Sequence, residues 1–236
     1  MGDHLKAALR SVDWTGNVEH LCLDDAIAGR IERCNMVLAL WASQIENIEK
    51  NNPAMPFLRE MQRGGHDVAS CMALGLYKPA ASSMRSLLEC ALYYTYFRVH
   101  PAELRSLILD EKYYVTKSDI VEFFKAHVPD YKSRQSSLNF GDRLESWYSV
   151  TSAVVHGQLP GLWAPVSGSG LKDVKHNESL LEIVVTHFET AVKIVSDLFL
   201  CVLAQEIWAF IDSGAKKELI SGMPGHAKST LKLDMA

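Results

Sequence analysis

A stripe of apolar residues near the start of the chain limits the possible folds more than any other feature. Its members recur at alternating intervals of four and three residues, which places them on one narrow face of an α-helix. Such a stripe is typical of a helix that packs lengthwise on another helix. The sequence therefore predicts a long N-terminal helix over about 24–50, begun by Asp24 and Asp25 and stopped by Pro53. The stripe consists of Ile27, Ile31, Cys34, Leu38, Trp41, Ile45 and Ile48.

Helical periodicity continues through most of the chain, and strand signals are nearly absent. We expect a helix from about Pro56 to Leu76, which the pair Gly64–Gly65 could interrupt. Another helix should begin at Pro79, since proline suits the first helical position, and should end near Arg98. The remaining helices before the Gly/Pro-rich stretch that begins at Gly157 are expected near 102–111, 117–127 and 140–156.

The last long helix is expected to start at Asn177 and to continue to about Asp212, a length of about 54 Å. It is apolar on several faces between Ile194 and Leu203, which predicts that it is the most buried element. After Gly214 the chain carries several lysines and few apolar residues, so we expect mobility there.

These elements predict an all-α fold. The most natural solution is a single-domain antiparallel helical bundle over 1–213, with its core at about 56–212 and a long C-terminal helix. A flexible C-terminal tail should cover 214–236.

Composition narrows the classes of function. The formal net charge is −4 and the pI is about 6.1, which argues against indiscriminate nucleic-acid binding but not against a small local site. The five cysteines are widely spaced and include no CxxC pair, as expected of free thiols in a reducing compartment. The most apolar stretch is interrupted by Asp197 and Glu206, so no transmembrane span is predicted. We therefore expect a cytoplasmic protein with no metal, cofactor or membrane contact.

Two predicted helices carry polar side chains on faces that should meet. Arg85 and Glu89 are four residues apart within the apolar segment KPAASSMRSLLECALYYTYF. In the later segment RLESWYSVTSAVVHG, a polar stripe occurs at spacings of four, three and four. If the two helices are neighbours, Arg85, Glu89, Ser152 and His156 share one polar pocket. The stripe consists of Glu145, Ser149, Ser152 and His156.

The pairing of GLYKPAASSMRSLLECALYYTYF with YSVTSAVVHG resembles uncharacterised bacterial branches of the HEPN superfamily. These are all-helical proteins in which an Arg-x-x-x-Glu helix packs against a helix ending in Ser-x-x-x-His-Gly. The similarity covers roughly 68–97 and 147–157. Active HEPN proteins are metal-independent endoribonucleases and toxins of defence or stress, often with a composite site across a homodimer. The resemblance implies that His156 acts on an RNA hydroxyl while an arginine stabilises phosphate charge.

The chain departs from the ribonuclease signature of that family. An arginine is expected four to six residues before the histidine, but residues 149–151 are Ser, Val and Thr. Arg143 is the nearest arginine upstream and is about three and a half turns from His156, so it is at most a weak ligand contact. Arg85 would have to supply the charge from the neighbouring helix.

Two functions remain open. In the first, which the missing arginine and the acidic pI favour, the chain is a defence- or stress-associated module. It binds a helical protein partner or forms a homodimer, using the apolar stripe of the N-terminal helix, and the polar pocket is structural. In the second, the chain is an endoribonuclease or toxin that binds RNA and uses His156 and Arg85. The aperiodic loop 157–176 either covers a ligand, with Trp163 in contact, or packs on the bundle through Trp163.

Overall fold

A computed structural model describes residues 2–158, 161–163 and 170–233 of the chain. Across these ranges every regular element is helical and no β-strand occurs, which confirms the all-α class and the bundle-like packing. Single 3-10 turns lie at Leu171–Asp173 and Trp208–Phe210. The α-helices are α1 (Asp3–Arg10), α2 (Trp14–Leu23), α3 (Asp25–Ile48), α4 (Met55–Ala73), α5 (Tyr77–Phe97), α6 (Pro101–Leu109), α7 (Lys117–His127), α8 (Tyr131–Ser137), α9 (Phe140–Val155), α10 (Glu178–Val202), α11 (Ala204–Ile207), α12 (Ser213–Leu219) and α13 (Gly225–Leu231).

The apolar stripe of α3 lies inside the molecule. The helix begins after Asp24, whose carboxylate accepts hydrogen bonds from two amides of the first turn. Its stripe packs against α4 and α10, and the Trp41 indole donates to Ser196 Oγ on α10 at 3.1 Å. Six stripe residues are buried and Ile48 is partly buried. The predicted lengthwise packing is confirmed. The stripe is consequently unavailable as an interaction surface for another chain.

Helix α5 is central because it packs against α4, α9 and α10. Helix α4 passes through Gly64 and Gly65 without a break, so the suggested interruption is wrong. A Cβ added at Gly64 would lie 2.8 Å from the Cβ of Leu87 on α5, and one at Gly65 would lie 2.7 Å from Leu38 on α3. The two glycines therefore permit close helix packing.

Helix α10 is shorter than predicted. Asn177 caps its first turn as expected, but the helix ends at Val202 after 25 residues, about 38 Å, and not near Asp212. In its last turn, the carbonyl of Cys201 accepts a hydrogen bond from Arg134 at 2.8 Å. The chain then bends through α11 and the following 3-10 turn, which brings Ile207 and Ile211 into the core. The hydrogen bond from Arg134 satisfies one carbonyl at the helix end, and the bend buries side chains that a straight continuation would expose.

The segment expected to be a flexible tail forms two helices, so this expectation is corrected. Helix α12 packs against α3 and α13 packs against α8. The apolar residues of this segment are few, but they recur at positions that face the bundle. Their burial against α3 and α8 stabilises helices that the lysine-rich local composition alone does not predict. The buried apolar side chains are Ala215, Leu219, Ile220, Met223, Ala227, Leu231 and Leu233.

Helices α1, α2 and α8 were not expected from periodicity. Buried Asn17 joins α2 to the bundle, since its amide donates to the Leu74 carbonyl and its oxygen accepts from the His176 amide. All five cysteines are free, and Cys22 is exposed. Within the described residues, no helix is both long enough and apolar enough to cross a membrane.

Candidate functional site

The polar cluster forms where α5 lies against α9. Arg85 and Glu89 occupy one face of α5, one turn apart, because four residues nearly complete a helical turn. His156 follows the last residue of α9, and Gly157 turns the chain at φ +68°. That left-handed cap lets the Gln158 amide bond the Ala153 carbonyl at 2.9 Å, which completes the helix end. The cap leaves His156 exposed beside α5.

The Arg85 guanidinium is the centre of this cluster. Its Nε donates to Glu89 Oε1 at 2.9 Å, and its Nη2 donates to the Tyr148 hydroxyl at 3.0 Å. Its Nη1 lies 2.9 Å from His156 Nε2. The Tyr148 hydroxyl in turn donates to Glu89 Oε1 at 2.7 Å, which closes a ring of hydrogen bonds. Helix α5 therefore places an arginine beside His156, where α9 has none within the preceding three turns.

The contacts around Arg85 also affect its own acidity and that of Tyr148. An arginine side chain stays charged, so Arg85 Nη1 can only donate in its contact with His156 Nε2. Burial is the largest single effect and would lower the pKa of Arg85, but the hydrogen bonds and charges of Glu89 and Tyr148 together outweigh it and the pKa is raised. Burial, together with the bond to Glu89, raises the pKa of Tyr148 to about 12. Tyr148 therefore keeps its proton at neutral pH.

Two ammonium groups lie near the cluster. The Lys117 ammonium lies 4.7 Å from the centroid of the Tyr148 ring and forms an ion pair with Glu145. An ideal Cβ built on Gly157 would lie 3.6 Å from Lys78 Nζ, so a second ammonium lies beside the residue that follows His156. Arg85 and Lys117 are each paired with a carboxylate, whereas Lys78 forms no ion pair within the described residues. An ammonium without such a partner suits an anionic ligand.

The structure brings together Arg85, Glu89 and His156 as predicted, but the side chains of two other candidates make no hydrogen bond to them. Ser152 Oγ is buried and has no hydrogen-bond partner among the described residues. Arg143 forms an ion pair with Asp197, which is fully buried on α10, and bonds the Leu138 carbonyl at 3.1 Å. Arg143 therefore stabilises the core and does not reach the His156 site.

Trp163 is 3% exposed, so almost none of its side chain is accessible to a ligand. Its ring lies edge-on to His187, with centroids 4.9 Å apart, and His187 stacks on Trp147 of α9 at the same separation. This arrangement favours the interpretation of Trp163 as an anchor on the bundle. The parts of the predicted lid at 159–160 and 164–169 lie outside the described residues.

Sequence reasoning missed Tyr148. It bonds both Arg85 and Glu89 and lies two turns before His156, so both side chains share one face of α9. The spacing of eight residues was a usable signal. The polar stripe predicted serines instead, because an aromatic residue in an apolar helix is more often a core residue.

No group of three His, Cys, Asp or Glu side chains in the described part of the chain is arranged to hold a metal ion. Comparison of the chain with protein-family models, with curated proteins and with solved structures found no match. Functional inference therefore rests on the site itself.

Proposed function

We propose that the protein is a HEPN-like, metal-independent endoribonuclease with its active site at His156 and Arg85. The observation that carries the proposal is the 2.9 Å contact between Arg85 Nη1 and His156 Nε2. An exposed imidazole beside a guanidinium combines a group that moves protons near neutral pH with a group that binds phosphate in two-point fashion. The Lys78 ammonium beside Gly157 supports the proposal.

Each residue has a distinct role in this reaction. A phosphodiester of RNA approaches the exposed side of Arg85, and Nη1 transfers its hydrogen bond from His156 to a phosphoryl oxygen. The released Nε2 lone pair accepts the proton of the 2′-hydroxyl, whose oxygen attacks phosphorus. The bond from phosphorus to the 5′-oxygen breaks, the leaving oxygen takes a proton from water, and His156 returns its proton to the solvent, which leaves a 2′,3′-cyclic phosphate. Arg85 stabilises the charge that develops on the phosphoryl oxygens. Glu89 and Tyr148 hold Arg85 in place.

The proposal is tested with a labelled single-stranded RNA oligonucleotide in the presence of EDTA. Wild type should cleave it to products ending in a 2′,3′-cyclic phosphate, and His156→Ala should lower the rate by about 10²-fold or more. Tyr148→Phe, which removes one support of Arg85, should have a smaller effect. A DNA oligonucleotide of the same sequence has no 2′-hydroxyl and should stay intact.

The control variant is His66→Ala, because His66 is exposed on α4 and belongs to no cluster. It should retain wild-type cleavage, and circular dichroism should verify that all variants are folded. Folded wild type that leaves the RNA intact, or cleavage that survives His156→Ala, rejects the proposal.

A second candidate is a non-catalytic module that binds a protein partner or forms a homodimer. Two observations favour it: each of the three guanidinium nitrogens of Arg85 already has a partner within the chain, and large side chains at and after the end of α6 are exposed. Ile108, Leu109 and Tyr114 are 74%, 76% and 73% exposed, respectively. Large exposed apolar side chains are a feature of interaction surfaces.

The module makes opposite predictions. His156→Ala should then lower the free energy of unfolding by about 1–3 kcal/mol without any effect on RNA, because a hydrogen-bonded network loses a member. Light scattering of wild type should reveal association that the double change Ile108→Glu, Leu109→Glu abolishes. A monomer at all concentrations excludes the homodimer.

A further inference from the structure

Lys78 is a cation beside the His156 site that no carboxylate of the described residues neutralises. It lies in the first turn of α5, it is exposed, and it forms no ion pair within the part of the chain that the structure describes. Its Nζ lies 3.6 Å from the position of an ideal Cβ on Gly157, the residue that follows His156. The ammonium is therefore accessible to an anionic ligand that reaches the imidazole.

Lys78 and Arg85 lie on the same face of α5. Seven residues separate them, which places them within about 20° of each other around the helix and about 10.5 Å apart along its axis. Ser82 lies between them on this face and is also exposed. The face therefore carries an ammonium, a hydroxyl and a guanidinium in a row.

The order of charges along α5 gives a direction to an extended polyanion bound at Arg85. Toward the C-terminal end of the helix, the carboxylate of Glu89 lies one turn away and bonds Arg85. Toward the N-terminal end, α5 carries no acidic residue, and Lys78 follows after Ser82. Because like charges repel and opposite charges attract, a polyanion that extends from Arg85 is drawn toward Lys78.

We propose that Lys78 binds the phosphate next to the scissile one, so that the substrate is an RNA strand with at least two consecutive phosphodiesters lying along α5. The inference rests on the ribonuclease proposal, since it names the substrate of the same site. One phosphate lies at Arg85 beside His156, and its neighbour lies at Lys78. A lysine suits the second position, because an ammonium on a flexible stem binds a phosphate as a point charge and reads no base sequence.

A structural role for Lys78 is the competing explanation. Its ammonium lies beside the C-terminal end of α9, where exposed carbonyls stabilise a cation. In that case Lys78→Gln should lower the melting temperature and leave RNA binding unchanged. The two explanations differ in whether the affinity for a nucleic-acid strand depends on the ammonium.

The first experiment measures binding without cleavage. A fluorescent RNA hexanucleotide with 2′-O-methyl groups lacks the attacking hydroxyl, and its affinity for the full chain is followed by anisotropy at several salt concentrations. Lys78→Gln should weaken binding by roughly three- to tenfold, as expected for the loss of one hydrogen-bonded charge contact. It should also reduce the slope of log affinity against log salt by about 0.7, the value for one phosphate contact on a single strand.

Lys50→Gln is the matched control, because it removes the same charge from an exposed lysine without an ion pair in the described residues. Lys50 follows Glu49, which pairs with Arg98 at the opposite end of α5. This variant should keep the wild-type affinity and salt slope. The proposal is overturned if wild type does not bind the hexanucleotide, if Lys78→Gln binds it as wild type does, or if Lys50→Gln loses as much affinity.

The second experiment measures kcat/KM for two substrates with one cleavable bond each. In a tetranucleotide whose only 2′-hydroxyl precedes the central phosphodiester, the cleavable bond has a phosphate on either side, whereas in the matching dinucleotide it has none. Wild type should cleave the tetranucleotide roughly three- to tenfold more efficiently, and Lys78→Gln should cleave the two about equally.

The two experiments separate failure of this inference from failure of the ribonuclease proposal. If Lys78→Gln keeps the full preference for the tetranucleotide, the inference is overturned and the ribonuclease stands. If wild type cleaves neither substrate but binds the hexanucleotide in a manner that depends on Lys78, the ribonuclease is rejected and the binding of a strand at Lys78 stands.

Discussion

At the scale of single residues, two histidines illustrate how environment determines a role. His156 lies exposed at the end of α9, where an arginine donates to it. His187 lies between the rings of Trp147 and Trp163, with its Nε2 2.7 Å from Thr151 Oγ1. Burial lowers the pKa of His187 to about 4, because a charged imidazole loses hydration in that position. His156 is exposed to solvent, whereas His187 is enclosed and packs against Trp163.

The buried histidine should make stability depend on pH. The unfolded chain binds a proton at His187 near pH 6.5 and the folded chain only near pH 4, so stability falls as pH decreases through that window. The loss amounts to about 3.5 kcal/mol over the whole window, at roughly 1.4 kcal/mol for each pKa unit. Urea unfolding between pH 7 and pH 4 measures it.

His187→Gln should flatten this pH dependence, since glutamine has no proton to gain. His66→Gln, at an exposed position, should leave the wild-type dependence intact. An unchanged slope in His187→Gln would show that other groups cause it.

At the scale of elements, α5 connects the site to the core. One face packs closely against α4 at Gly64, and the face with Arg85 and Glu89 meets α9. The position of Arg85 relative to His156 therefore depends on how tightly α4 and α5 pack. Gly64 controls that distance.

Gly64→Ala should destabilise the fold by about 1–3 kcal/mol, because its new Cβ would lie 2.8 Å from the Cβ of Leu87 and the helices must separate. Gly29→Ala is the matched control, since its nearest neighbour is the end of the Arg33 side chain at 3.6 Å. That change should stabilise α3 by about 0.5–1 kcal/mol through helix propensity alone. Thermal unfolding of both variants checks the prediction, which is wrong if Gly64→Ala equals or exceeds wild type.

At the scale of the whole molecule, one hydrophobic core extends from α3 to the segment after α13. The last two helices are part of it, since α12 covers α3 and α13 covers α8. Gln44 on α3 also exchanges hydrogen bonds with Asp212 immediately before α12, at 2.9 and 3.0 Å. The C-terminal segment is structural and is not an appendage.

A chain that ends at Asp212 should therefore be less stable than wild type by at least about 3 kcal/mol, because it lacks the buried side chains of Leu219, Met223 and Leu231 and exposes the core that they cover. Urea unfolding quantifies the loss. A chain that ends at Leu233 keeps every described helix and should match wild type. Equal stability of the two truncated chains would contradict the assignment of α12 and α13 to the core.

Much of the fold could be predicted from local pattern. The bounds of α3, α7 and α9 were predicted to within a few residues, since each has a cap and a clear apolar period. The end of α10 and the two C-terminal helices could not be, because burial by distant elements determines them. In the candidate site, helical spacing predicted Arg85, Glu89 and His156. That Tyr148 bonds both Arg85 and Glu89, and that Ser152 Oγ bonds none of the described residues, is visible only in the packed structure.

The sequence by itself determined that the chain is all-helical, which side of α3 is buried and which polar residues share a helix face. These are consequences of the 3.6-residue period, which acts over neighbouring residues. Only the tertiary structure decided that Arg85 meets His156, that Arg143 forms an ion pair with Asp197 and that the Arg134 side chain is buried. Each of these depends on which helices are neighbours and at what rotation, and helix packing sets both through contacts between residues far apart in the chain.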